Sequence, residues 1–418
     1  MPLVSIICFG ITIILFLSLF KKNTDVFAPA RLFIIIWLLS IGLTELKFSR
    51  YQNDWTLFSW LMLLIAIASF LLGFFIVYTI NVGKPISNIM TLRQFISRNS
   101  FNTDLLFKYI LLLFTAYIIS YIISALVIGY IPLFTKYPGV ARNDWGIFGF
   151  GLFVQSFPSI IYFIYLYFII TRKERNKKLI LLVVFLITFL TYAFLLQRYY
   201  IAFAIIMIMA TMYYFTNMLR FRNVLLITIV GFSIMFGMTF IRLTGTIANY
   251  LYYLSDMKFS VKYAFFTEPY MYVVMNLENF SHAVNKIENF AYGLLSFDFI
   301  FAISGLKHII AEYLRLPEFP HLITNNYNTY TMFFVYYWDY GVFGLFLFPL
   351  FIGILFTHFY YKMRKTPSLN TVAMYSIFTF VILFSFFVPV MTFLHFVFNT
   401  FLIYSITIHI EAQQKSSH

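Results

Sequence analysis

Charge is what this chain has least of: 11% of its 418 residues are Asp, Glu, Lys or Arg, against roughly 25% in an ordinary soluble domain. That shortage excludes a soluble enzyme of this length. A single cysteine excludes an internal disulfide and leaves the redox compartment open. The sequence has no internal repeat, no low-complexity tract and no separable soluble domain. It also lacks a Walker A loop, a dinucleotide glycine fingerprint, a His/Cys cluster at zinc spacing and an Asp-x-Asp pair. A nucleotide-driven reaction on the cytoplasmic side is therefore not expected.

What the chain has is apolar bulk. Hydrophobic residues make up 62% and aromatic residues 22%, with 56 Phe and 32 Tyr, which excludes disorder. The fold class that remains is an all-α polytopic integral membrane protein. A span needs about 20 mostly apolar residues to cross about 30 Å of hydrocarbon. Runs of that kind lie at 2–20, 28–46, 55–80, 105–129, 147–171, 179–197, 199–219, 223–241, 341–361, 369–389 and 392–410, which predicts about 11 transmembrane helices. The first run has no basic stretch before it and no small-residue cleavage site after it. It reads as a retained span rather than a signal peptide.

Basic clusters then orient the chain. Lys21-Lys22, the group Lys84, Arg93, Arg98 and Lys108, the run Arg172 to Lys178, Arg220-Phe221-Arg222 and Lys362-Met363-Arg364-Lys365 all fall on one side. The positive-inside rule makes that side the cytoplasm, with the N-terminus outside and the C-terminus inside. The threading places 18 Lys/Arg and 4 Asp/Glu inside and 11 of each outside, so the net charge of +14 is a topology signal and implies no nucleic-acid partner. Residues 1–418 read as a single membrane domain. Its one elaboration is a long external loop, 243–330, between spans eight and nine, punctuated by Pro269, Gly293, Gly305, Pro317 and Pro320. Apolar runs such as Tyr270–Met275 and Phe299–Ile303 predict short amphipathic or re-entrant helices in it.

The outer side carries the candidate chemistry. Arg142, Arg198 and Arg242 each stand at the outer end of a span or in a short link. Guanidinium forks suit the oxygens of a diphosphate, and they equally suit snorkelling to headgroups. Arg198 interrupts an apolar stretch from Leu179 to Tyr214, where a charge usually faces a protein cavity. In the loop, Glu278 and His282 stand at i, i+4, one face of a helix, where one could orient the other as a general base. A solvated helix face with an incidental pair is the alternative. His321 precedes the ninth span and suits a base, a sugar-binding donor or a plain polar loop residue. The stretch Asn325 to Gly341 alternates amides, hydroxyls and aromatics. Sugar hydroxyls bind amides and hydroxyls, and pyranose faces pack on rings. An interfacial aromatic belt explains its Tyr and Trp, but not Asn325, Asn326 and Asn328, nor Asp339.

Asn328-Thr329-Tyr330-Thr331-Met332-Phe333-Phe334, followed by Tyr337-Trp338-Asp339-Tyr340-Gly341-Val342-Phe343-Gly344, resembles the most recognisable segment of bacterial oligosaccharide repeat-unit polymerases, the Wzy-type O-antigen polymerases. Glu268-Pro269-Tyr270 through Asn276-Leu277-Glu278-Asn279 is similar to that family's loop segment, and Gln197-Arg198 to its mid-chain arginine. In one respect the chain departs from the pattern: none of Arg142, Arg198 and Arg242 has a glycine eleven positions on, as the Arg-x10-Gly motifs of some members require.

The resemblance implies a metal-independent glycosyltransferase of the cytoplasmic (inner) membrane with no cofactor. It would move a growing glycan from undecaprenyl diphosphate to the non-reducing end of a lipid-linked repeat unit, at the outer face. The implied partners are the lipid-linked oligosaccharide, the bilayer and a chain-length regulator protein. Arg142, Arg198 and Arg242 would hold the diphosphate, Glu278 and His321 would be the candidate bases, and His282, Asn328, Tyr330 and Asp339 would bind glycan or brace the loop. An O-antigen ligase-like transferase and a flippase for the same lipid-linked sugar are the alternatives.

Overall fold

The computed structural model describes residues 3–21, 24–99, 101–142, 145–171, 174–216, 219, 222–226, 229, 245–314 and 321–416. Most of the expected span 223–241, the loop positions Pro317, Glu318 and Pro320, Arg242, and the basic residues Lys22, Arg172, Lys173 and Arg220 lie outside them. The described residues are largely helical and form no β-strand, only an isolated bridge between Ser49 and Met257.

The longer helices are α1 (Leu3–Ser18), α2 (Pro29–Thr44), α3 (Leu57–Asn81), α4 (Thr103–Ile128), α5 (Phe157–Ile170), α6 (Arg175–Ala193), α7 (Arg198–Phe215), α8 (Gly245–Leu254), α9 (Thr267–Val284), α10 (Phe334–Lys365), α11 (Leu369–Phe384) and α12 (Leu394–Ser416). Their ends follow local chemistry. Thr56 caps α3 by accepting the Ser59 N–H at 3.1 Å, and Asn102 caps α4 by accepting that of Leu105 at 2.9 Å. Gly129, left-handed at φ +81°, ends α4.

Among the described residues, six helical stretches are long and apolar enough to cross a membrane: Leu57–Asn81, Thr103–Phe134, Phe150–Ile170, Arg175–Ala193, Arg198–Phe215 and Phe334–Lys365. Helices α1, α2 and α11 are apolar but shorter. The faces of α3 are those of a lipid-embedded helix. Ser59, Ala66, Ser69 and Gly73 point inward, while Leu57, Leu61, Leu64 and Phe75 are exposed. In hydrocarbon, small residues let helices approach and leucine has nothing to gain from hiding. The protein is thus an all-α, largely helical chain whose long apolar helices fit a multi-spanning membrane bundle.

The chain packs as two compact units. The first holds residues 1–84, 219–360 and 381–394. In it α3 and α10 cross at two glycines: a Cβ on Gly73 would lie 2.3 Å from the Leu350 carbonyl oxygen, and one on Gly353 would lie 2.3 Å from that of Phe70. Phe33 stacks on Phe70 at 4.3 Å and Trp37 on Phe333 at 4.9 Å, making an aromatic core. The second unit holds residues 85–218, 361–380 and 395–418. Its interior is laced with hydroxyls and amides. Ser159 donates to Asn399 at 2.5 Å, Thr211 and Ser376 share a hydrogen bond at 2.9 Å, and Tyr117 and Thr191 share one at 2.8 Å.

Candidate functional site

Helix α9 is the centre of the first unit's polar chemistry. Glu278 is 2% exposed, and its carboxylate is enclosed by the 45–56 link between α2 and α3. Lys47 Nζ lies 3.0 Å from Oε1, Gln52 Nε2 donates to the same oxygen at 3.5 Å, and Trp55 Nε1 donates to Oε2 at 3.0 Å. Lys47 also meets Glu45 at 3.3 Å and the Asn53 carbonyl at 2.6 Å. Burial pushes the Glu278 carboxyl above its ordinary pKa, while the Lys47 charge and the three hydrogen bonds pull it back without cancelling the rise. Two turns earlier, the Tyr270 hydroxyl donates to Gln52 at 2.7 Å, tying the link to α9 a second time. The link is held from behind as well. Ser49 Oγ donates to the Ser255 carbonyl at 2.6 Å, and the Lys258 N–H donates to the Phe48 carbonyl at 2.7 Å.

Beside Glu278 on the same helix, Asn276 and Asn279 grip the amide-rich stretch. Asn279 donates to the carbonyls of Tyr327 and Thr329 at 2.7 and 3.0 Å and accepts the Ile323 N–H at 3.2 Å. The Thr329 hydroxyl donates to Asn276, and Tyr327 shares a hydrogen bond with Ser255 at 2.6 Å. Held this way, the segment leaves Asn325, Asn326 and Asn328 exposed and packs the Tyr330 ring on Phe334 at 3.8 Å. An exposed amide row beside an aromatic face is suited to sugar hydroxyls and ring C–H groups.

At one end of that segment stands His321, left-handed at φ +61°. His282 lies in the same unit, one turn along α9 from Glu278. Both imidazoles are half-buried, and each is pushed below its ordinary pKa, first by burial and then by the Lys286 charge; Glu288 partly offsets this for His321. Both are therefore neutral at neutral pH, the form of an imidazole that can take a proton.

The Asp339-Tyr340-Gly341-x-x-Gly344 motif is a break in α10. Tyr340 and Gly341 leave helical geometry, at φ −140°, ψ 15° and φ 59°, ψ −140°. A side chain at Gly341 would be strained, and a Cβ at Gly344 would lie 2.0 Å from the Tyr336 carbonyl oxygen. The turn before the break lies against the turns after it, and Tyr336 stacks on Phe348 at 4.8 Å. Asp339, fully buried, spends its carboxylate on the Leu295 and Ser296 N–H groups at 3.2 and 2.5 Å. It braces the chain between α9 and α10 rather than facing outward.

Arg142 and Arg198 belong to the second unit. Arg142 donates to the Leu196 carbonyl at 3.4 Å, two residues before Arg198 opens α7, so its side chain meets the link that Arg198 follows. Gln197 accepts the Tyr192 hydroxyl at 3.0 Å, and the rings of Tyr199 and Tyr200 pack against His395 at 6.3 and 4.9 Å.

The structure thus joins Glu278, His282, His321, Asn328, Tyr330 and Asp339 within one unit, and Arg142 with Arg198 in the other. Sequence reasoning missed Lys47, Gln52, Trp55 and His395, and it assigned no role to Asn276 and Asn279. The one available signal was composition: Lys47-Phe48-Ser49-Arg50-Tyr51-Gln52-Asn53-Asp54-Trp55 is rich in hydrogen-bonding side chains for a short turn between spans. Among the described residues, no group of three or more His, Cys, Asp or Glu could hold a metal ion. No family model, curated protein or solved structure matches the chain.

Proposed function

We propose that the chain is a polysaccharide polymerase of the Wzy type, an eleven-span protein with its basic links in the cytoplasm and its 243–330 loop outside. One observation carries the reading. The two segments in which the resemblance resides, 268–279 and 328–344, lie dozens of residues apart in sequence, yet Asn276 and Asn279 hydrogen-bond directly to the strip that leads into the second. On this reading the exposed amides of that strip bind glycan, and His321 stands at its start.

In the proposed reaction an acceptor sugar hydroxyl attacks the anomeric carbon of the donor, forming a glycosidic C–O bond. The bond from that carbon to the lipid diphosphate breaks, and the diphosphate leaves with the electron pair. The hydroxyl proton passes to His321. The resemblance gives the neutralisation of the leaving diphosphate to Arg142, Arg198 and Arg242. Asn328 and Tyr330 hold the acceptor.

The test is a deletion strain complemented with variants and read by glycolipid profiling. The deletion leaves single-repeat glycolipid only, and Arg198→Ala abolishes long chains. Normal chain lengths with Arg198→Ala and Arg242→Ala together would remove the diphosphate role. Polymer accumulating unattached on its lipid carrier would mark a ligase instead. One observation favours the transporter alternative: the break in α10 is of a kind found where transporters bind their cargo. A flippase deletion would trap the single-repeat lipid on the cytoplasmic leaflet.

A further inference from the structure

The ion pair of half-buried Lys47 and buried Glu278 joins residues 231 positions apart and has no place in the reaction scheme above. Its geometry is closed on both sides. Each Glu278 oxygen already accepts a hydrogen bond, and with the residue 2% exposed there is no face left for an acceptor hydroxyl. Lys47 has three N–H bonds to give, and three acceptors surround it: Glu278, Glu45 and the Asn53 carbonyl. A group that must take a proton from substrate needs a free lone pair in reach of it. Glu278 has none.

What the pair does control is the placement of α9. Glu278 and His282 are one turn apart on one face, about 6 Å along the axis. Asn279, next to Glu278, carries the strip that begins near His321. Any shift of α9 against the 45–56 link therefore moves His282 and the His321 strip together.

We propose that Lys47 and Glu278 are positioning residues, a charge pair that docks α9 on the 45–56 link and so fixes where His282 and the strip held by Asn279 stand, and that Glu278 exchanges no proton with substrate. This rests on the polymerase reading for its catalytic half only.

The two charges are not equivalent. Glu278→Gln leaves Lys47 with Glu45 as a counter-ion and keeps an amide that can still meet Trp55. Lys47→Met leaves a buried carboxylate with no cation. The test uses the full chain, in the deletion strain and purified in nanodiscs, as Lys47→Met, Glu278→Gln and the double variant. Three readouts are taken: folded yield, elongation of lipid-linked repeat units, and the pH–rate profile. Glu278→Gln is expected to lower elongation only several-fold and to leave the acid limb of the profile where it is. Lys47→Met is expected to lose more than about tenfold in folded yield and elongation, and the double variant to return to the Glu278→Gln level.

Abolished elongation in Glu278→Gln at normal folded yield, with no recovery in the double variant, would make Glu278 the base and overturn the proposal. If the native chain makes no polymer, the polymerase reading falls by itself. The pairing is then judged on folded yield, where equal yields for Lys47→Met and the double variant would overturn it.

Discussion

Two buried polar networks in this protein are built from different chemistry. Around α9 the buried groups include a full charge, and the partners of Glu278 and Asn279 come from elsewhere in the chain: Lys47, Gln52 and Trp55 for Glu278, and the 323–329 backbone for Asn279. In the second unit, the Thr211–Ser376 pair uses hydroxyls. Ser376 also donates to the Val372 carbonyl one turn back at 2.8 Å, as Thr407 does to Ile403 at 2.7 Å. A hydroxyl on a helix satisfies itself on its own backbone, so its contact across helices is an addition. A carboxylate has no donor of its own and cannot do this, so its burial depends on tertiary docking. The α9 network should therefore be brittle and the hydroxyl network tolerant.

The largest expected effect is at Lys47. Lys47→Met should destabilise the protein by about 3–5 kcal/mol, the usual cost of breaking a buried pair from one side. The loss should depend on pH with a definite sign. Glu278 is pushed above its ordinary value by burial, so its contribution is fully present below that ordinary value and is lost as pH rises through the folded one. Without Lys47 that value rises further, and the carboxyl can escape its penalty only by staying protonated. The stability gap to the native chain should widen between pH 5.5 and pH 8 in thermal unfolding of detergent-purified protein. A gap that narrows with rising pH would break the comparison.

Next is Asn279→Ala, which strips three hydrogen bonds from the 323–329 strip. A loss of about 2–3 kcal/mol is expected from the buried backbone groups left without partners. Limited proteolysis should then cut near Asn325 at protease concentrations that spare the native chain. Smallest is Thr211→Val. Ser376 keeps its own backbone acceptor, so the change should stay under about 1 kcal/mol. A melting shift as large as that of Asn279→Ala would show that the hydroxyl network is no more tolerant than the charged one.

Much of this was legible locally. The apolar runs predicted helices where α2, α3, α4, α6 and α7 stand, and the i, i+4 reading of Glu278 and His282 is correct because both lie within α9. The amide strip and the Asp339-Tyr340-Gly341 motif stood out as unusual for an aromatic belt. Their physical sense lay further off. Asp339 holds the Leu295 and Ser296 amides, and the glycines allow a break and a close backbone approach. Lys47 was invisible as a partner because nothing near it in the chain hints at a carboxylate more than two hundred residues away.

By itself, then, the sequence determined the helical, strongly apolar character of the chain, which fits a multi-spanning membrane bundle, since apolar segments in lipid must satisfy their backbone groups within each helix. It also determined which segments carry polar side chains. Only the tertiary structure decided which of those side chains are enclosed and which are presented. Glu278 was sealed by Lys47, Gln52 and Trp55, while His321, Asn325, Asn326 and Asn328 were left accessible. The physical reason is that a buried charge takes its meaning from its partner, and that partner arrives only when distant elements dock.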